Sequence, residues 1–129
     1  MYKAILALLL AVVSGDALAE WLAVGNTDAT TVYMDSATLR KAGENARILV
    51  LFDLKTPAQS AGMEPFMSTK AEYEYDCKEK RVRGLYYTLH SGNMAAGEVV
   101  RKGWGPSEWA PVAPDALNQN LWKAACGNR

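Results

Sequence analysis

The residues able to do chemistry in this chain are few: two cysteines, Cys77 and Cys126, one histidine, His90, a cationic run from Lys78 to Arg83, and carboxylates at alternate positions, Glu72, Glu74 and Asp76. Their spacing argues against catalysis. No nucleophile stands in a pattern with a base, no glycine-rich phosphate loop is present, and no pair of acids is arranged for acid and base work. A single histidine without a partner motif does not make a metal site of protein ligands. Glu72, Glu74 and Asp76 would share one face of an extended strand, where weak Ca²⁺ binding competes with the plainer reading of a solvated face. The sequence therefore reads as a non-enzyme with no metal and no cofactor.

The cysteines lack the Cys-x-x-Cys spacing of a redox pair, and neither is a sequence neighbour of His90. Their compartment decides their role. Met1-Tyr2-Lys3, the apolar run Ala4 to Val13 and the segment Ser14 to Ala19, ending Ala-x-Ala, form the three parts of a secretory signal peptide over residues 1–19. Ten apolar residues reach only about 15 Å as a helix, half of a hydrocarbon core of about 30 Å, so no membrane span is expected. An exported chain with an even cysteine count pairs them, and a Cys77 to Cys126 bridge is worth about 4 kcal/mol in the chain-entropy model. Glu20 and not a cysteine directly follows the cleavage site, which reads as an exported protein of the periplasm or outer surface that is not a lipoprotein. Residues 20–129 are enough for one domain with its own core and too few for two.

The chain is 50% hydrophobic and 22% charged, with 14 basic and 14 acidic side chains. Removal of the leader takes one charge of each sign, Lys3 and Asp16, and leaves the balance at zero. Without a basic excess nucleic acid is a poor partner. Local charge is another matter, because Lys78, Lys80, Arg81 and Arg83 face only Glu79 in their segment. They could attract an acidic partner surface, or Arg83 and Lys80 could pair across a hairpin with Glu74 or Asp76. Trp104 and Trp109 lie in a segment rich in proline and glycine, where tryptophans serve either as interface anchors or as lids on a small core.

The elements that hold these residues follow from periodicity. Trp21 to Val24 and Thr30 to Met34 read as a hairpin, and Asp35 as the cap of a helical turn over Ser36 to Leu39. Ala46 to Lys55 reads as a central strand, with Ile48, Val50, Phe52 and Leu54 on one face and Leu49 and Leu51 on the other. Thr56 to Pro65 reads as a mobile polar loop. Beyond it Ala71, Tyr73, Tyr75 and Cys77 alternate with Lys70, Glu72, Glu74 and Asp76, which predicts one buried and one wet face. A turn at Lys78 to Lys80 leads into a strand over Arg81 to His90, with Leu85, Tyr87 and Leu89 on one face. The register of this hairpin is left open. Ser91 to Gly97 is a loop, Glu98 to Arg101 a last short strand, and Lys102 to Pro114 irregular. Asp115 opens a helix to about Ala125, with Gly127 at its C-cap and Leu117, Leu121, Trp122, Ala125 and Cys126 in one apolar stripe. The result is an α+β fold: a single antiparallel sheet of about six strands covered by one C-terminal helix that the disulfide tethers.

Glu74-Tyr75-Asp76-Cys77, the basic run to Arg83, Ser91-Gly92-Asn93-Met94 with Gly97-Glu98-Val99-Val100, Trp109 to Pro114 and Leu121 to Cys126 resemble the surface-adhesin protein E family of Gram-negative bacteria. The resemblance runs from Trp21 to Cys126. It implies a six-stranded antiparallel sheet with a disulfide-tethered helix, and a binding protein whose namesake engages host matrix and plasma proteins through a stretch corresponding here to Lys70 through Tyr87. The expected function is thus a non-catalytic binding module of the cell envelope. Its partner would be a protein or acidic surface, or a second copy of the chain in a homodimer, and its candidate binding residues are Lys70, Lys78, Lys80, Arg81, Arg83, Trp104 and Trp109. The alternative is a periplasmic carrier or sensor holding a small apolar ligand between sheet and helix, among Tyr73, Tyr75, Tyr87 and Trp122.

Overall fold

A computed structural model describes residues 20–127, and the leader expected over residues 1–19 lies outside them. The strands are β1 (Trp21–Asn26), β2 (Thr30–Ala42), β3 (Asn45–Ala58), β4 (Phe66–Asp76), β5 (Arg81–His90), β6 (Val99–Trp104) and β7 (Ala110–Pro111), followed by the helix α1 (Ala116–Cys126). They form one antiparallel meander in the order β1-β2-β3-β4-β5-β6, with β7 paired to β5 beyond the end of β6. β6 and β7 are thus one edge strand interrupted by the segment Gly105 to Trp109.

α1 crosses one face of the sheet and buries Leu121, Trp122, Ala125 and Cys126 against Val32, Met34, Ala46, Ile48, Val50 and Tyr75. Its N-terminus is capped as the sequence predicts, since the Asp115 carboxylate accepts from Asn118 N–H at 2.9 Å. Gly127 ends it in the left-handed region at φ 77°. Leu117 packs onto β1 where Gly25 leaves room, for a Cβ there would stand 2.7 Å from Leu117 Cδ1. The Cys77–Cys126 bridge joins the helix end to the end of β4 across a Cα separation of 5.6 Å. The interface between sheet and helix is filled by side chains, Tyr75 and Trp122 among them.

Three local expectations change. The helical turn after Asp35 is instead a bulge inside β2, where the register with β3 shifts between Asp35 and Arg40. Asp35 still caps it, accepting from Ala37 N–H at 3.1 Å, while Thr38 donates its hydroxyl to the Asp35 carbonyl and accepts from Leu49 N–H. Strand pairing on both sides overrides the local helical signal. The last strand runs on to Trp104, because the carbonyls of Gly84 and Leu85 in β5 tie down the segment after it. Most consequential, β5 bulges at Leu85, so Tyr75 pairs with Val82 near the turn and Ala71 with Tyr87 further along. The bulge resets parity: Val82 and Tyr87 both reach the helix side, Leu85 leaves their row, and Arg81 and Arg83 go to the opposite face.

That opposite face is not uniformly wet. Glu74 and Asp76 are buried, and Leu51 is fully so. Near the other end the turn Asn93–Ala95 docks on it, with Asn93 Nδ2 and Met94 N–H both donating to Asp53 Oδ1 and Ala95 N–H to Ser68 Oγ. The burial of acids that alternation alone assigns to solvent has its reason in the side chains stacked over them.

Candidate functional site

Cations and tryptophans gather at two places on the sheet, and the register decides which residues meet. At the hairpin end Asp76 lies opposite Arg81 and Glu74 opposite Arg83. Arg81 Nη2 donates to Asp76 Oδ2 at 2.6 Å, and Arg83 Nε donates to Glu74 Oε1 at 2.8 Å, with Asn45 Nδ2 on the other Glu74 oxygen at 3.1 Å. Trp109 closes the layer, its ring 5.1 Å from the Arg81 guanidinium and 4.4 Å from that of Arg83. Lys80 turns to the helix side and rests its ammonium 4.8 Å from the Trp122 ring, while the indole N–H of Trp122 donates to the Asp76 carbonyl at 3.4 Å.

The electrostatics agree with that geometry. Burial alone would raise the Glu74 carboxyl, but hydrogen bonds from Arg83 and Asn45 and the charges of Arg83 and Arg47 hold it below its ordinary value. Asp76 is held below its ordinary value chiefly by Glu79 N–H, then by Arg81. Of the four cations in the run, Arg81 and Arg83 are ion-paired and stacked and Lys80 is stacked, while Lys78 is exposed in the turn.

The second gathering is at the β5–β6 edge. Lys70 lies opposite Thr88, and Thr88 opposite Lys102; one pleat further on, Glu72 lies opposite Tyr86 and Tyr86 opposite Trp104. Directly opposed residues share a face, so Lys70, Lys102, Tyr86 and Trp104 stand together on the face away from α1. Trp104 is 74% exposed, and Lys102 Nζ is 5.4 Å from its ring. Burial, with the neighbouring Glu72 charge, raises the Tyr86 phenol, which stays a neutral hydroxyl. Lys70 and Trp104 were legible as candidates in the sequence, whereas Lys102 and Tyr86 were not. The available signal was the spacing of Lys102 and Trp104, two apart and therefore on one face of any strand that contains both.

His90 takes no part in either gathering. It is buried beside Thr88, whose hydroxyl lies 2.8 Å from Nε2, and its Nδ1 has no partner. Burial, helped by the Lys70 charge, keeps the ring neutral. Among the described residues no three His, Cys, Asp or Glu side chains converge on a point that would hold a metal ion, and no helix is long and apolar enough to cross a membrane.

On the helix side, beyond the reach of α1, lies an open groove of about 420 Å³. Thr69, Ala71, Tyr73 and Tyr87 line it, and the segment Trp104 to Ser107 forms a wall. Two of the inward aromatics singled out from sequence, Tyr73 and Tyr87, border this groove, while Tyr75 and Trp122 are packed in the core.

Comparison with known proteins bears on this arrangement. No curated protein sequence matches the chain. Among solved structures, protein E of Haemophilus influenzae superposes with a TM-score of 0.60 at 10% identity, covering 86% of this chain and 86% of that one. Protein E from a non-typeable strain of that species gives 0.59 at 11%, covering 88% of this chain and 79% of that one. At such identities the likeness is one of fold. The family model for surface-adhesin protein E matches residues 21–127, nearly the whole described chain, and with the tethered helix and the six-stranded meander it makes this protein a member of the surface-adhesin protein E family.

Proposed function

We propose that this protein is an exported, non-catalytic binding module of the Gram-negative cell envelope that engages an acidic region of a partner protein through the Lys70, Lys102, Tyr86 and Trp104 patch. The observation that carries the reading is Trp104, a large apolar ring left 74% exposed on the edge strand with a lysine ammonium beside it. Tryptophan is enriched among the residues that anchor protein interfaces, and a cation at its face adds to what a partner can engage. Family membership supports an adhesin-like role at the surface. The leader expected over residues 1–19, with Glu20 and not a cysteine directly after it, supports export without a lipid anchor. Lys80, Arg81 and Arg83 contribute less to binding in this reading, because their partners lie within the domain.

Two measurements test it. Protease shaving of intact cells separates a surface protein from a periplasmic one, and digestion only after the outer membrane is opened would overturn surface adhesion. Binding to immobilised extracellular-matrix and plasma proteins should then fall at least about tenfold in the charge reversal Lys70→Glu with Lys102→Glu, and lose its salt dependence. Undiminished binding by that variant would remove the patch from the mechanism.

A further inference from the structure

The groove beside α1 has a chemistry of its own. Its lining is Thr69, Ala71, Tyr73, Tyr87, the β5 bulge Gly84 to Tyr86, and the wall Trp104 to Ser107. No charged side chain is among them, in a chain where 22% of residues are charged. Its volume, about 420 Å³, falls within the range of roughly 300 to 1,000 Å³ typical of small-molecule sites.

The groove is also built, not left over. The wall is fastened to the β5 bulge by three hydrogen bonds: Gly105 N–H to the Leu85 carbonyl at 2.7 Å, Ser107 N–H to the Gly84 carbonyl at 2.9 Å, and Gly84 N–H to Ser107 Oγ at 2.9 Å. The ring of Tyr87 lies across Gly103, where any Cβ would overlap it. Tyr73 is held edge-on against Phe52, with ring centroids 6.2 Å apart and planes at 85°. Burial raises the Tyr73 phenol, so it too remains a neutral hydroxyl. Among the described residues the hydroxyls of Tyr73 and Tyr87 have no hydrogen-bond partner. The site thus combines fixed aromatic walls, no charge, and hydroxyls free to meet one polar group.

From this we infer that the groove binds an uncharged small molecule carrying an aromatic ring and a single N–H or O–H group, of the size and chemistry of indole or phenol. An ionised ligand would lose its hydration with no opposite charge to meet it, which selects for the neutral form. This site excludes the lysines of the protein-binding patch proposed above and shares Tyr86 and Trp104 with it.

The test is a titration of the purified, disulfide-bonded protein with indole and with phenol, read by amide chemical shifts. Saturable shifts should centre on Gly84, Gly105 and Ser107. Indole-3-acetate and tryptamine, an anion and a cation of similar shape, should bind at least about tenfold more weakly. Gly84→Val should abolish the shifts by filling the groove floor. A Cβ at Gly84 stands 3.7 Å from Tyr73 Cε1 and 3.9 Å from Ser107 Oγ, ordinary contact distances, so the fold has room for it. Should that variant fail to fold, Tyr73→Phe with Tyr87→Phe removes the two groove hydroxyls and should weaken indole binding several-fold. The inference is overturned by shifts that do not saturate, that map elsewhere, that survive both substitutions, or that charged analogues reproduce at equal affinity. Lys70→Glu with Lys102→Glu should leave indole binding unchanged, so failure of either proposal is visible without the other.

Discussion

The hairpin end and the β5–β6 edge carry the same ingredients, cations and a tryptophan from the proline-rich segment, yet they are built for opposite ends. At the hairpin Arg81 and Arg83 each hold a buried carboxylate and together sandwich Trp109 against the sheet. At the edge Lys102 leans on Trp104 with the ring still mostly in water. A cation beside a tryptophan is a structural joint when a carboxylate and a burying surface complete it, and a surface open to partners when they do not. Charge density along the sequence does not distinguish the two; cross-strand register does.

The largest expected effect that tests this contrast is at the tether. Cys126→Ser, or reduction, should cost about 2 to 5 kcal/mol of unfolding free energy, the usual range for a native bridge in a small secreted domain. Amide exchange in α1 should rise first, since the strand ladder closes without the bridge. Helix protection unchanged on reduction would falsify the tether as the support of the hairpin end.

Next is Trp109→Ala. Removing a half-buried ring and two cation–π contacts should lower stability by about 1 to 3 kcal/mol in chemical denaturation. A loss below about 0.5 kcal/mol, the range of ordinary surface substitutions, would place Trp109 with Trp104 and dissolve the comparison.

Acid should act on the same end. Because the folded-state values of Glu74 and Asp76 lie below their ordinary 4.5 and 3.8, their contribution is complete above those values and is lost as pH falls through the lowered ones. Urea midpoints should therefore decline from about pH 5 downward. Asp115, lowered by its hydrogen bonds to Asn118, adds to the decline with the same sign, so the informative quantity is the difference between the parent and Asp76→Asn. Asp76→Asn should start less stable at neutral pH and show a shallower acid slope. An identical slope would mean that the Glu79 N–H and Arg81 do not hold the Asp76 carboxylate in its charged form in solution.

The smallest effect is expected at the other end. Trp104→Ala should change stability by less than about 0.5 kcal/mol, since the ring is already mostly hydrated. A cost comparable to that of Trp109→Ala would show that the edge is a second structural joint.

The sequence alone determined the elements with strong period or strong capping. The existence of β3, β4 and β5 followed from alternation, and α1 from its stripe between Asp115 and Gly127, because main-chain geometry ties residue spacing to one face of an element; which faces of β4 and β5 were buried did not follow. The pairing of Cys77 with Cys126 followed from the count and the exported setting, and their facing placed the bridge between helix and sheet. Tertiary structure decided the rest. The Asp35 turn became a bulge because β3 supplied ladder partners before and after it, Leu49 for Asp35 and Arg47 for Arg40. Glu74 and Asp76 were buried because Arg81, Arg83 and Trp109 come from other strands to cover them. Lys70, Lys102, Tyr86 and Trp104 met because one extra residue at Leu85 reset the parity of β5. A period of two fixes which residues of a strand share a face, but which strands bring those faces together is a long-range fact that no local window contains.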